Sequence, residues 1–161
     1  VTNFLDLGIG PDFITHETSD DYYTPPFIFE ALGLTYSIDV CSPPNGSPWI
    51  PADRFLTVVD DGLETEWYGR VWMNPPYSKP TPWILKWIEH GNGVGLVPMS
   101  KGGWFNVLWE RDDVAFIALT KTLKFITPNG EVKGIYMPTV LIGIGEENIA
   151  AMAQSGLGRL R

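Results

Sequence analysis

An apolar run that stops at two consecutive prolines constrains this chain more than any other feature. Val71-Trp72-Met73 reads as a short buried strand, and Asn74-Pro75-Pro76-Tyr77-Ser78 follows it. Neither proline has an N–H to give a ladder, so the strand cannot continue. Asn74 is pushed into an extended or turn conformation by the proline after it. The result is a stiff corner at the C-terminal end of a strand, where open α/β sheets place their ligands. It can present the Asn74 side-chain oxygen, the Pro75 carbonyl and the Tyr77 ring together. Two acceptors and an aromatic plate suit a flat molecule with an exocyclic amino group. The acceptors take its N–H protons and the ring covers its π-face.

The rest of the chain predicts one α/β domain around that corner. At 161 residues it is long enough for a single covered core, and 44% hydrophobic with 13% aromatic content argues a folded globule. Residues 1–20 carry little pattern and are expected to form an N-terminal arm ahead of a domain over 21–161. Thr24-Pro25-Pro26 before Phe27, Ile28, Ala31 and Leu32 predicts a helix, with Thr24 as N-cap and Gly33 as its end. Residues 35–40 alternate into a strand that runs into Asp39-Val40-Cys41-Ser42-Pro43-Pro44. The glycine-rich turn of dinucleotide folds is missing there, since Gly46 is the first glycine after the strand. Residues 49–59 predict a second strand through Phe55, Leu56, Val58 and Val59. Asp60-Asp61-Gly62 comes next. A carboxylate about 20 residues past the first strand is where nucleotide folds put their ribose acceptor, which offers Asp60 and Asp61. Asp-Asp-Gly is also the composition of an ordinary turn, the reading it favours.

Beyond the corner, Thr81-Pro82 opens a helix whose apolar face is Trp83, Ile84, Trp87 and Ile88, closed by Gly91. His90 at its end reads as structural. Residues 93–99 predict a strand buried on both faces. Lys101-Gly102-Gly103 opens another helix; a lysine there can meet a phosphate or belong to a flexible loop. Residues 114–119 are a strand. Residues 123–126 and 135–143 read as two strands of a hairpin about Asn129-Gly130. A terminal helix covers 146–154, and Arg159 and Arg161 read as a frayed end.

Composition bounds the function. No apolar run reaches the roughly 20 residues that span a bilayer, and the N-terminus lacks a secretory pattern. A single cysteine excludes an internal disulfide and a Cys-rich zinc site. A soluble, cytoplasmic protein is expected. A net charge of −8 argues against loose adhesion to nucleic acid, which needs cations to displace counterions. A local basic patch remains open, because Lys79, Lys86, Lys101, Lys121 and Lys124 all follow the corner.

Asn-Pro-Pro-Tyr resembles the signature of enzymes that move a methyl group from S-adenosylmethionine to an amino or amide nitrogen. Tyr22-Tyr23-Thr24-Pro25-Pro26, Ile38-Asp39-Val40-Cys41, Asp61-Gly62-Leu63 with Trp67, residues 74–78, and Leu123-Lys124-Phe125 follow in one order. That order is similar to the phage-type, Dam-like DNA N6-adenine methyltransferases, over about residues 20–145. Where that family often carries an arginine before Leu-Lys-Phe, this chain has Thr122. The resemblance implies a Rossmann-like methyltransferase domain with a mostly parallel sheet and a C-terminal antiparallel hairpin. It implies S-adenosylmethionine as cofactor and a flipped adenine of DNA as substrate. Asn74, Pro75, Pro76 and Tyr77 would be catalytic, and Thr24, Pro25, Asp39, Asp60 and Asp61 would meet the cofactor. Tyr77, Lys79, Lys101 and Phe125 would meet the substrate, with no metal required. A host-cell cytoplasm and protection of phage DNA against restriction would follow. In so short a chain, sequence preference is expected to be weak, set by a few loop residues, or supplied by a protein partner, and a homo-oligomer is a further expectation. The same tetrapeptide also serves enzymes acting on RNA bases or protein glutamine, and a non-catalytic binding module on this fold is a further alternative.

Overall fold

Alternation along the strands sets the layering. The computed structural model describes residues 23–161, apart from 101, 120–122, 128–129 and 135–137. In β3 (Val71–Met73), Val71 and Met73 enter one apolar core and Trp72 enters the other. The same period of two divides β5 (Val114–Leu119), where Val114 and Phe116 oppose Ala115 and Ile117. It also divides β8 (Thr139–Ile144), where Val140, Ile142 and Ile144 oppose Leu141. Helices α2 (Thr81–His90) and α3 (Gly103–Trp109) cover the first core through Ile84, Trp87, Phe105 and Leu108. Helices α1 (Pro26–Leu32) and α4 (Glu146–Gln154) cover the second through Ile28, Phe29, Leu32 and Met152. The fold is therefore a three-layer α/β sandwich.

With β1 (Tyr36–Asp39), β2 (Ala52–Phe55) and β4 (Gly93–Pro98), the six-stranded sheet runs β2-β1-β3-β4-β8-β5. The pairs β1–β2, β1–β3 and β3–β4 are parallel, and β8 is antiparallel to both neighbours. From β1 the chain goes outward to β2, then returns to the other side of β1 for β3. This reversal makes the β1/β3 boundary a topological switch point, the crevice where open α/β sheets bind ligands.

Four expectations are corrected. Helix α1 is capped by Pro25 without a side-chain bond, so Thr24 is not its N-cap. The second strand lies earlier than its apolar residues suggested; Val58 and Val59 are 86% and 94% exposed and lie in a turn beyond it. A hairpin forms between β6 (Lys124–Ile126) and β7 (Val132–Gly134), but as a separate two-stranded sheet bridged to Tyr23. The antiparallel strand of the main sheet is β8, which the hairpin reading had merged with residues 135–137. Finally, Arg161 is not frayed: its N–H and C=O exchange bonds of 2.8 and 2.9 Å with Phe116 on β5. Gly33 and Gly91 close α1 and α2 in the left-handed conformation, as expected. No helix among the described residues is long and apolar enough to cross a membrane.

The edge of the sheet opposite the strands' C-terminal ends is tied by one polar network. Arg70 Nε donates to Asn148 Oδ1 at 2.6 Å, and its guanidinium reaches the Thr35 carbonyl and Glu147. The Asn148 amide donates to Asn92 Oδ1 and to the Ile144 carbonyl. Asn148 is 1% exposed, whereas the Glu147 side chain is 85% exposed. Removing Asn148 takes a partner from the part-buried Arg70 guanidinium and from the buried Ile144 carbonyl; Asn148→Ala should cost about 1–3 kcal/mol in urea unfolding. Glu147→Gln, which loses only an exposed ion pair, should cost less than about 0.5 kcal/mol.

Candidate active site

Because Pro75 and Pro76 end β3, Asn74 stands at the switch point beside the end of β1. The Asn74 Nδ2 donates to Thr24 Oγ1 at 3.1 Å. That bond fixes the amide, and Oδ1 is the atom left to accept from a ligand. Thr24 is itself buried and held, since Trp49 Nε1 donates to its carbonyl at 2.7 Å and Tyr23 packs edge-on against the same indole. Thr24 thus serves the corner rather than the helix that follows. Pro75 is buried, and the Pro76 carbonyl accepts from the Lys79 N–H. Tyr77 is half-buried, and its hydroxyl donates to the Leu96 carbonyl on β4 at 3.3 Å. Burial raises its hydroxyl pKa well above the ordinary phenol value. The ring is therefore a fixed neutral plate.

The turn after β1 does without glycine because an aspartate closes it. Asp39 Oδ1 accepts from the Cys41 N–H at 3.3 Å, two residues on. Burial dominates its electrostatics: at 1% exposure its pKa is pushed up to about 7, with the Cys41 bond pulling the other way. A buried carboxylate with one backbone donor is a ready partner for an ammonium group.

Two hollows open at the C-terminal ends of β1, β2 and β3, with Cys41 in the wall of both. The narrower one brings together Thr24, Asp39, Trp72 and Asn74. The wider one, about 310 Å³, is lined by Cys41, Ser42, Leu56, Thr57, Val58, Asp61, Gly62, Pro76 and Trp83. Its walls are mostly apolar, with Asp61 and the Thr57 hydroxyl among the few polar groups. One hollow is cationophilic and the other is shaped for a flat, largely apolar body.

The other residues singled out from the sequence divide. Asp61 lines the wider hollow with a left-handed φ of 50°. Asp60 is turned to its own loop: its carboxylate accepts from the Thr57 N–H and Oγ1 at 2.8 and 3.1 Å, which lowers its pKa. Pro25 is buried one residue past Thr24, and Lys79 is exposed beside the corner. Phe125 is 1% exposed and packs in the second core. Lys101 lies outside the described residues, as do Lys121, Thr122 and the proposed arm over 1–20. Sequence reasoning missed Cys41, Leu56 and Trp83 as lining. The first two continue strands and read as core, and Trp83 sits on a helix face where aromatic residues are ordinarily core.

The Asp39 shift has a direct test. Its folded pKa, about 7, lies above its unfolded value near 3.8, so between those values the native state holds a proton that the unfolded chain has lost. The stability from this group is full below pH 3.8 and is lost as pH rises through about 7. Asp39→Asn removes that loss. The stability difference between Asp39→Asn and wild type should grow in favour of the variant across this window, by on the order of a few kcal/mol, as read by urea unfolding at several pH values.

Comparison with known proteins agrees with the geometry. A DNA N-6-adenine-methyltransferase from Haemophilus phage HP1 (strain HP1c1) is 31% identical over 99 residues, covering 55% of this chain. The chain spans 56% of the length of that curated relative. The family described as DNA N-6-adenine-methyltransferase (Dam) matches residues 13–139, which contain the β1 turn, both hollows and the Asn-Pro-Pro-Tyr corner. The chain belongs to the DNA N-6-adenine-methyltransferase (Dam) family.

Proposed function

We propose that this chain transfers a methyl group from S-adenosylmethionine to the N6 amino group of adenine in DNA. The observation that carries the reading is the meeting, at one switch point, of an oriented acceptor (Asn74), a fixed aromatic plate (Tyr77) and the two hollows sharing Cys41. Family membership supports the reaction. The residues fit the methyl donor: Asp39 suits its amino group, Leu56, Val58 and Trp83 suit its base, and Asp61 suits its ribose hydroxyls. When bound, S-adenosylmethionine supplies an electrophilic methyl group on a sulfonium centre.

The protein's own part is positioning and electrostatics. An exocyclic adenine nitrogen is a poor nucleophile because its lone pair is conjugated into the ring. Asn74 Oδ1 and the Pro75 carbonyl accept its two protons, which favours a tetrahedral nitrogen with a directed lone pair. Thr24 keeps Oδ1 facing that task by occupying Nδ2. Tyr77 supplies the surface on which a base taken out of the duplex stacks. The reading includes a flipped adenine, action in a host-cell cytoplasm, and a protein partner or homo-oligomer.

Two measurements test it. Wild type given labelled S-adenosylmethionine and unmethylated DNA should yield N6-methyladenine on nucleoside digestion, and Asn74→Ala should lose at least about 100-fold in rate, the scale of one removed transition-state group, with donor affinity within twofold. Methyl transfer to RNA or protein instead, or none, would refute the DNA assignment. Calorimetry of donor binding near pH 6.5 in buffers of different ionisation enthalpy should show proton release. Pairing Asp39 with an ammonium group pulls its pKa below about 7, and Asp39→Asn should abolish the release.

A further inference from the structure

Lys86 looks from the sequence like part of a basic patch, but its ammonium is fully engaged within the protein. Its Nζ donates to the carbonyls of Gly62, Leu63 and Thr65 at 3.2, 2.7 and 2.6 Å. Three donors meet three acceptors, and the charge lies 4.8 Å from the Trp67 ring centroid. The loop it grips is the one that carries Asp61 and Gly62 to the wall of the wider hollow. Trp67 Nε1 donates to the Gly62 carbonyl at 2.8 Å, and Trp67 stacks on Trp83, another wall of that hollow.

That loop needs a clamp. Asp61 sits at a φ of 50°, unfavourable for a residue with a side chain. Gly62 passes so close to the Val40 carbonyl and the Trp83 ring that a Cβ would lie 2.3 and 2.9 Å from them. The Asp61 carbonyl is held from within the loop by the Glu64 and Thr65 N–H groups, while the next carbonyls, of Gly62, Leu63 and Thr65, are tied from outside by Lys86. Lys86 and Trp83 stand three apart on α2, so one flank of that helix both walls the hollow and ties the loop across it.

We propose that Lys86 is a positioning residue for the methyl donor: it holds the Asp61-Gly62 loop in the shape that receives the donor's nucleoside end, and takes no part in DNA phosphate binding. The inference rests on the donor occupying the wider hollow. Its test uses the full chain and S-adenosylmethionine as probe. Lys86→Met keeps the stem and removes the charge. It should raise the donor Kd and donor KM at least tenfold, leave kcat at saturating donor within threefold, and leave the salt dependence of DNA binding unchanged. Lys86→Arg keeps a cation, but its planar fork cannot point at three converging carbonyls, so the donor-side loss should persist. If Lys86 instead met a phosphate, Lys86→Met would lower the salt slope by about one and Lys86→Arg would restore it. That result, or donor affinity within twofold of wild type in both variants, overturns the proposal. Should Lys86→Met not fold, Trp67→Phe, which removes the indole bond to Gly62 and trims the ring stacked on Trp83, should show the same loss in donor affinity. Hydrogen exchange separates the two readings. Donor bound to wild type should protect residues 56–62. Binding without that protection overturns both readings, whereas protection with normal donor affinity in the Lys86 variants overturns this one alone.

Discussion

Three residues of β3 hold the molecule's working end together. Val71, Trp72 and Met73 are fully buried; Val71 pairs with Ile38 on one side and with Gly93 on the other. Trp72 packs against Phe29 and Tyr36 in the second core while its two neighbours fill the first. A strand so short and so deeply fixed cannot shift register without turning all three side chains to the wrong face. The prolines then stop it at one position. Where Asn74 stands, relative to Asp39 one strand away, is therefore decided by backbone pairing and not by the site's own contacts.

Much of this was legible in the sequence because the informative residues act locally. Two prolines end a strand wherever they are, and glycines at 33 and 91 end helices by the same local logic. The β4 run of apolar residues could be recognised as doubly buried because nothing polar interrupts it. Part of what failed depended on distance along the chain. Thr24 has the local context of a helix cap, and only the fold brings Asn74 within 3.1 Å to claim its hydroxyl. Val58 and Val59 have strand composition, yet Thr57 and Asp60 close a turn around them that local propensity does not anticipate. The three carbonyls around Lys86 and the burial of Phe125 depend on the fold in the same way, and neither is visible from the neighbouring residues in the chain.

The allocation of charge follows the same economy. A chain with net charge −8 has few cations to spare, and several are engaged internally. Arg70 ties the far edge of the sheet, Arg111 pairs with Asp113, and Lys86 is held by loop carbonyls. Lys79 remains exposed beside the corner. Under the proposed function, recognition built this way leans on the fit of one base in a shaped site more than on the phosphate backbone.

The placement of β8 carries a consequence for how the chain reaches this state. Strands β4 and β5 follow one another in sequence with only α3 between them, yet they do not touch in the sheet; β8 lies between them, paired to both over six residues each. Neither strand can complete its ladder until residues 139–144 have been made and threaded into the gap. Until then two long apolar edges stand open, and closing them brings together segments far apart in sequence, the slowest kind of contact to form. Folding of the core must wait for the last strand, and during synthesis the incomplete sheet would be the form most exposed to pairing with the wrong partner.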